Sequence, residues 1–199
     1  MKKNKMITLA LIAVIALGLL VGCGSPKAPT PDTPDSTQPQ QEEAAAGNYG
    51  NLKEFSAKTL DGSTFTQEDL KKVDLTVINF WSTSCQPCIQ EMPELATIAK
   101  NLPENVKMIT ACLDGDSDSE TMKKIISDAK FSNPTLTSGN GDWDAMTKKI
   151  IYTPTTIFVD AEGNSVGTAL EGAPANQIEE SYKDAINEAL TAIGKPEVK

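Results

Sequence analysis

The fold of this chain is decided by one stretch, Phe80-Trp81-Ser82-Thr83-Ser84-Cys85-Gln86-Pro87-Cys88. The residues before it, Leu75 to Phe80, are mostly apolar and β-branched, and they predict a buried strand. After it, apolar residues recur at a helical spacing, at Cys88, Met92, Leu95 and Ala99. A strand is therefore expected to run into a helix, with two cysteines at the junction.

The two cysteines are placed for thiol chemistry. Cys85 lies at the predicted first turn of the helix, where free backbone N–H groups and the helix dipole favour an anion and so lower the thiol pKa. Cys88 lies on the same side, one turn deeper, and is more shielded. We expect Cys85 to attack a disulfide and Cys88 to resolve the mixed disulfide. The alternatives are a permanent structural disulfide or half of a metal site, but a zinc site needs four ligands and the chain has no histidine.

Three motifs together resemble the thioredoxin superfamily and, within it, the TlpA/ResA-like thiol-disulfide oxidoreductases. They are Asn79-Phe80-Trp81, Cys85-Gln86-Pro87-Cys88 and Glu91-Met92-Pro93. The resemblance implies an α/β thioredoxin-like fold: a central mixed β-sheet flanked by helices, with an N-terminal β-hairpin and an insertion. It implies no metal and no cofactor beyond the redox-active disulfide Cys85–Cys88.

The same resemblance suggests further site residues. Glu91 would lie near the thiols as a third catalytic residue and accept a proton from Cys88; the alternative is a solvated glutamate on the helix surface. Asn79 departs from thioredoxin, which has a buried Asp there, and an amide cannot shuttle a proton.

A substrate-binding side of the site is implied as well. Pro154 stands where the family has a cis-proline beside the cysteine pair, and Thr153 would offer its backbone groups to an extended substrate. Trp81 is assigned to this side too, with simple packing beside the site as the alternative. Cys112 is expected to be a buried small hydrophobe, with a third redox role as the alternative.

The N-terminus predicts export. Residues 1–22 have a basic start followed by an apolar run that is short for a membrane-spanning helix, as in a signal peptide. The run ends in Leu20-Val21-Gly22-Cys23, which resembles the bacterial lipobox, so Cys23 is the predicted lipidation site. An uncleaved anchor is the alternative. Residues 23–50 are rich in proline and predict a disordered tether, and residues 51–199 form the thioredoxin-like domain.

The remaining elements follow from periodicity and turn residues. We predict a hairpin turning at Asp61-Gly62, a strand over 106–113, and a helix behind it that begins with a capping box formed by Ser117 and Glu120. The rest of the expected order is an insertion over 131–146 with a short helix over 142–149, a strand hairpin over 155–170 and a closing helix over 174–193.

Charge and family together define the expected function. A net charge of −9 argues against nucleic-acid binding. The resemblance implies a lipid-anchored, extracytoplasmic, monomeric protein that reduces disulfides of exported proteins, such as those in cytochrome c maturation. A membrane thiol transporter of the CcdA/DsbD type would supply its electrons. Two rival functions are a thiol peroxidase or antioxidant protein, for which no matching arginine is present, and a copper(I) chaperone using the same cysteines.

Overall fold

The structure is a computed structural model that describes residues 49–199. The predicted signal peptide, Cys23 and nearly all of the tether lie outside the described residues. Within 49–199, none of the helices combines the length and the hydrophobicity needed to cross a bilayer.

Strands and helices alternate along most of the described chain. The strands are β1 (Phe55–Thr59), β2 (Thr64–Thr66), β3 (Leu75–Trp81), β4 (Val106–Cys112), β5 (Thr135–Gly141), β6 (Thr155–Asp160) and β7 (Ser165–Glu171). The helices are α1 (Gln67–Leu70), α2 (Gln86–Asn101), α3 (Ser119–Ala129), α4 (Asp142–Thr147) and α5 (Ile178–Ala192).

The described strands form one mixed sheet in the order β2-β1-β5-β4-β3-β6-β7. β3 runs parallel to β4 and antiparallel to β6, with Trp81 opposite Cys112 and Phe80 opposite Thr155. The carboxyl ends of β3 and β4 therefore meet the start of β6 at one edge of the sheet. The predicted thioredoxin-like fold, with its mixed sheet and N-terminal hairpin, is confirmed.

β3 is buried along its whole length because both faces of the sheet are covered. Val77 and Trp81 lie in the core that contains α2 and α5. Ile78 and Phe80 lie in the opposite core, where Phe80 stacks on Trp143. The strand that carries the cysteine turn is thus fixed from both sides.

Three predicted details are wrong. The segment over 131–146 was expected to be an insertion with one short helix, but it also contains β5, which pairs with β4 and β1. Ser117 was expected to cap α3, but the N-cap is Asp118, and the Ser117 hydroxyl instead donates to the Asp114 carbonyl at 2.8 Å. The closing helix α5 also begins later than predicted, at Ile178.

Candidate active site

The cysteine pair lies at the junction of β3 and α2, as the spacing predicts. Cys85 is the N-cap of α2, and it is bonded to Cys88 in a disulfide with a Cα–Cα distance of 5.3 Å. Cys85 is partly exposed, whereas Cys88 is 0% exposed. A reagent or substrate can therefore reach the sulfur of Cys85 but not that of Cys88.

The groups around Cys85 can stabilise a negative charge on its sulfur. The backbone N–H of Cys88 donates to Cys85 Sγ at 3.3 Å. Because α2 begins at this residue, its free N–H groups and positive dipole end also face the sulfur. Both contacts favour the thiolate once the disulfide is reduced.

The chain segment before β6 passes directly over this sulfur. The Thr153–Pro154 peptide bond is cis, as predicted, and the carbonyl oxygen of Thr153 lies 3.4 Å from Cys85 Sγ. Pro154 has no N–H, and its carbonyl accepts from the Gly172 N–H at 2.8 Å, which ties the segment to the end of β7. A backbone carbonyl is thus presented at the sulfur of the partly exposed Cys85.

Three exposed apolar side chains belong to chain segments that border the site. Ile151 and Tyr152, next to Thr153, are 80% and 68% exposed, and Leu113, just past β4, is 41% exposed. The Leu113 N–H donates to the Trp81 carbonyl at 2.9 Å, so this residue lies beside the turn that carries Cys85. These three positions were not singled out from the sequence, because exposure cannot be read from an apolar residue alone.

Trp81 does not face this surface. Its side chain is 0% exposed and belongs to the core that contains α2. Its assignment to substrate binding is therefore corrected to packing beneath the site. Among the described residues its indole N–H has no hydrogen-bond partner.

A buried polar network lies beneath the cysteine pair. Asn79 Nδ2 is 3.0 Å from Glu91 Oε1, 3.0 Å from Thr156 Oγ1 and 3.2 Å from the Tyr182 hydroxyl. The Thr156 and Tyr182 hydroxyls are 2.9 Å apart, and all four side chains are at most 1% exposed. The network joins β3, α2, β6 and α5, and the contributions of Thr156 and Tyr182 were missed because nothing in the sequence marks them as neighbours.

Glu91 is the ionisable group closest in sequence to Cys88 in this network. It follows Cys88 by three residues on the same buried face of α2, so the alternative of a solvated surface glutamate is wrong. Burial raises the pKa of Glu91 to about 7, against the opposing effect of the hydrogen bond from Asn79, and the charge of Glu94 raises it further. A carboxyl group with such a pKa can take or release a proton near neutral pH.

The turn before Cys85 is attached to the end of β4. The Asp114 carboxylate accepts hydrogen bonds from the backbone N–H and hydroxyl of Thr83, and from the thiol of Cys112. Cys112 is buried, as expected, and burial followed by the Asp114 hydrogen bond and charge raises the pKa of its thiol. The role of Asp114 was missed, although its position at the carboxyl end of a parallel strand was visible in the sequence.

Known proteins resemble this chain in sequence and in fold. The sequence matches the Redoxin family over residues 45–186. The thioredoxin-like protein YneN of Bacillus subtilis is 29% identical over 114 residues, which is 55% of this chain and 64% of YneN, so the match spans less than two thirds of that relative. The thiol-disulfide oxidoreductase ResA of Bacillus thuringiensis is 26% identical over 129 residues, 65% of this chain and 73% of the relative.

Solved structures agree on the fold. The thiol:disulfide interchange protein of Chlorobium tepidum superposes with a TM-score of 0.57 at 20% identity, covering 74% of this chain and 99% of that one. The Redoxin match runs from before the N-terminal hairpin into the last helix. This chain therefore belongs to the Redoxin family, and it has the fold of the thioredoxin-like thiol-disulfide oxidoreductases.

Proposed function

We propose that this thiol-disulfide oxidoreductase works as a reductant of disulfides in exported proteins. The observation that carries the proposal is the asymmetry of the pair: Cys85 is partly exposed beside the Thr153 carbonyl, and Cys88 is fully buried behind it. One sulfur can meet a substrate, and the other is placed to complete the reaction within the protein.

The reaction consists of two exchanges. In the reduced protein the Cys85 thiolate attacks one sulfur of the substrate disulfide, breaking that S–S bond and releasing a substrate thiolate that takes a proton from water. Cys88 then loses its proton, to Glu91 or to water, and attacks Cys85, expelling the second substrate thiol. The substrate gains two electrons and two protons, and the protein is left with the Cys85–Cys88 disulfide.

The surroundings of the pair favour the reducing direction. A strong oxidant depends on a very stable thiolate, and a cation near the sulfur would supply that stability. Here the dipeptide between the cysteines is Gln86-Pro87, the chain has no histidine, and Glu91 lies on the buried face of the same helix. Ionised Glu91 opposes thiolate formation. The reduction potential of the Cys85–Cys88 pair should therefore lie nearer to the reducing end of the range known for such pairs.

The cellular setting is part of the proposal. After removal of residues 1–22, lipid attached to Cys23 would hold the protein at the outer face of the cell membrane, with residues 23–50 as a tether and residues 51–199 as the catalytic domain. A membrane thiol transporter of the CcdA/DsbD type would re-reduce the pair. Disulfides of exported proteins, including those in cytochrome c maturation, would be the substrates, and the protein would act as a monomer.

The reduction potential tests the direction of electron flow. The full chain, solubilised in detergent, is equilibrated with glutathione buffers of graded composition, and the fraction of the disulfide is measured. A potential near that of thioredoxin, about −270 mV, is the expected result. A potential near that of the oxidant DsbA, about −120 mV, would overturn the proposal.

A further inference from the structure

The turn that carries Cys85 is bound by one carboxylate from the neighbouring strand. The Thr83 N–H donates to Asp114 Oδ1 at 2.9 Å and to Oδ2 at 3.1 Å, and the Thr83 hydroxyl donates to Oδ2 at 2.8 Å. The Cys112 thiol donates to Oδ1 at 3.2 Å from the other side. Within the turn, the Cys85 N–H closes back on the Ser82 carbonyl at 3.1 Å. Holding Thr83 therefore holds the position of Cys85.

Asp114 is itself held firmly. Its carbonyl accepts from the N–H groups of Ser117 and Asp118, both at 3.0 Å, and from the Ser117 hydroxyl. The next residue, Gly115, is packed so closely that an added Cβ would lie 2.5 Å from Met122 Sδ and 3.0 Å from Thr137 Cγ2. The carboxylate thus projects from a backbone that cannot easily shift.

The carboxylate is ionised at neutral pH. Burial alone would raise the pKa of Asp114, but the hydrogen bonds from Thr83 and Cys112 outweigh burial and lower the pKa below its usual value. Hydrogen bonds to a charged acceptor are stronger than those between neutral groups. This attachment is therefore stronger than an ordinary turn contact.

We propose that Asp114 is a positioning residue for Cys85, which fixes the turn through Thr83 so that the Cys85 sulfur stays aligned with the Thr153 carbonyl. The inference rests on the proposed exchange reaction at Cys85. The alignment matters for a substrate that runs along the Thr153 backbone, and it matters much less for a small disulfide that touches the sulfur alone. The ratio of the rate with an extended substrate to the rate with a small disulfide therefore reports how well the Cys85 sulfur is positioned.

The variants separate position from charge. Asp114→Ala removes both the attachment and the charge, and Asp114→Asn removes the charge but keeps an oxygen that can accept from Thr83. Thr83→Val removes the hydroxyl bond and keeps the charge. Asp142→Ala is the matched control, because Asp142 is also a half-buried aspartate that accepts two backbone N–H groups, from Lys53 and Glu54, at 2.8 and 2.9 Å.

The measurement uses the full chain in detergent, in its reduced form. Rates are recorded across pH with a small aromatic disulfide, which gives the Cys85 pKa, and then with insulin above that pKa, where the thiolate is fully formed. Asp114→Ala should lower the insulin rate about tenfold or more and leave the small-disulfide rate within about threefold. Loss of the charge should lower the Cys85 pKa in both Asp114 variants, whereas Thr83→Val should reduce the insulin rate with no change in that pKa.

Two results would overturn the inference. One is an insulin-to-small-disulfide ratio that is the same in Asp114→Ala as in Asp142→Ala; if Asp114→Ala fails to fold, the ratio of Thr83→Val, compared with that of Asp142→Ala, decides in the same way. The other is an NMR signal of the Thr83 amide proton that does not move when Asp114 is replaced. The proposed reductant role is judged separately, on the potential of the unaltered protein, and can fail while this inference stands.

Discussion

Cys85 and Cys88 differ in access, and this difference is the basis of the roles that we propose for them. Cys88→Ser should accumulate mixed disulfides between Cys85 and a substrate, because the buried resolving thiol is gone. Cys85→Ser is the matched control and should accumulate none. Trapped adducts are counted by non-reducing electrophoresis and mass spectrometry. Faster alkylation of Cys88 than of Cys85 in the reduced protein at neutral pH would reverse the assignment.

The buried carboxyl group of Glu91 should make stability depend on pH. Its pKa is about 7 in the folded protein against 4.5 for an ordinary glutamate, so the folded state holds the proton more tightly than the unfolded chain does. The stabilisation from the bound proton is present below about pH 4.5 and is lost as pH rises through about 7. The free energy of unfolding should fall by roughly 3 kcal/mol at most over this range. Glu91→Gln should remove this loss.

Chemical unfolding at several pH values measures the effect. The stability of Glu91→Gln relative to the unaltered protein should grow from pH 5 to pH 8, and the titration of the reduced thiols should shift. Glu104→Gln, at an exposed position just beyond α2, should show neither change. If the difference in unfolding free energy between Glu91→Gln and the unaltered protein is constant across pH, Glu91 ionises as an ordinary surface carboxyl does.

At the level of elements, β5 is a strand whose formation depends on packing against its neighbours and not on its local sequence. Gly139 on β5 faces β1 so closely that an added Cβ would lie 2.4 Å from the Ser56 carbonyl oxygen and 2.9 Å from Ala57 Cα. Gly139→Ala should therefore push β1 and β5 apart and destabilise the protein by about 2 kcal/mol. Urea unfolding measures this loss, with Asn140→Ala on the same strand as the control. Equal urea midpoints for Gly139→Ala and Asn140→Ala would contradict the close packing of Gly139 against β1.

The sequence predicted most elements because their signals are local. The apolar run of β3, the helical spacing after Cys85 and the Asp-Gly turn each act within a few residues, and all three elements formed as expected. β5 was missed because its glycines and the preceding Asn133-Pro134 are typical of a loop, and only pairing with β1 and β4 makes it a strand. The polar network was missed because it also depends on contacts between distant parts of the chain: Asn79 and Tyr182 are 103 residues apart.

At the level of the whole molecule, the proposed attachment to the membrane would depend on residues outside the described part of the chain. Cys23→Ala should release the protein from the membrane fraction or block its processing, because the predicted lipid can no longer be attached. Fractionation and immunoblotting check this, and Cys112→Ala should remain in the membrane fraction. Unchanged membrane retention after deletion of residues 1–22 would indicate another anchor.

The contact between Asn79 and Tyr182 also sets the order in which the site can mature. Tyr182 lies on α5, the last described helix, so a nascent chain has already produced both active-site cysteines long before the residue that closes the network beneath them. Until α5 packs against the sheet, Asn79 and Thr156 lack their contacts with the Tyr182 hydroxyl. In a growing chain both cysteines are therefore present well before the polar network beneath them can be completed.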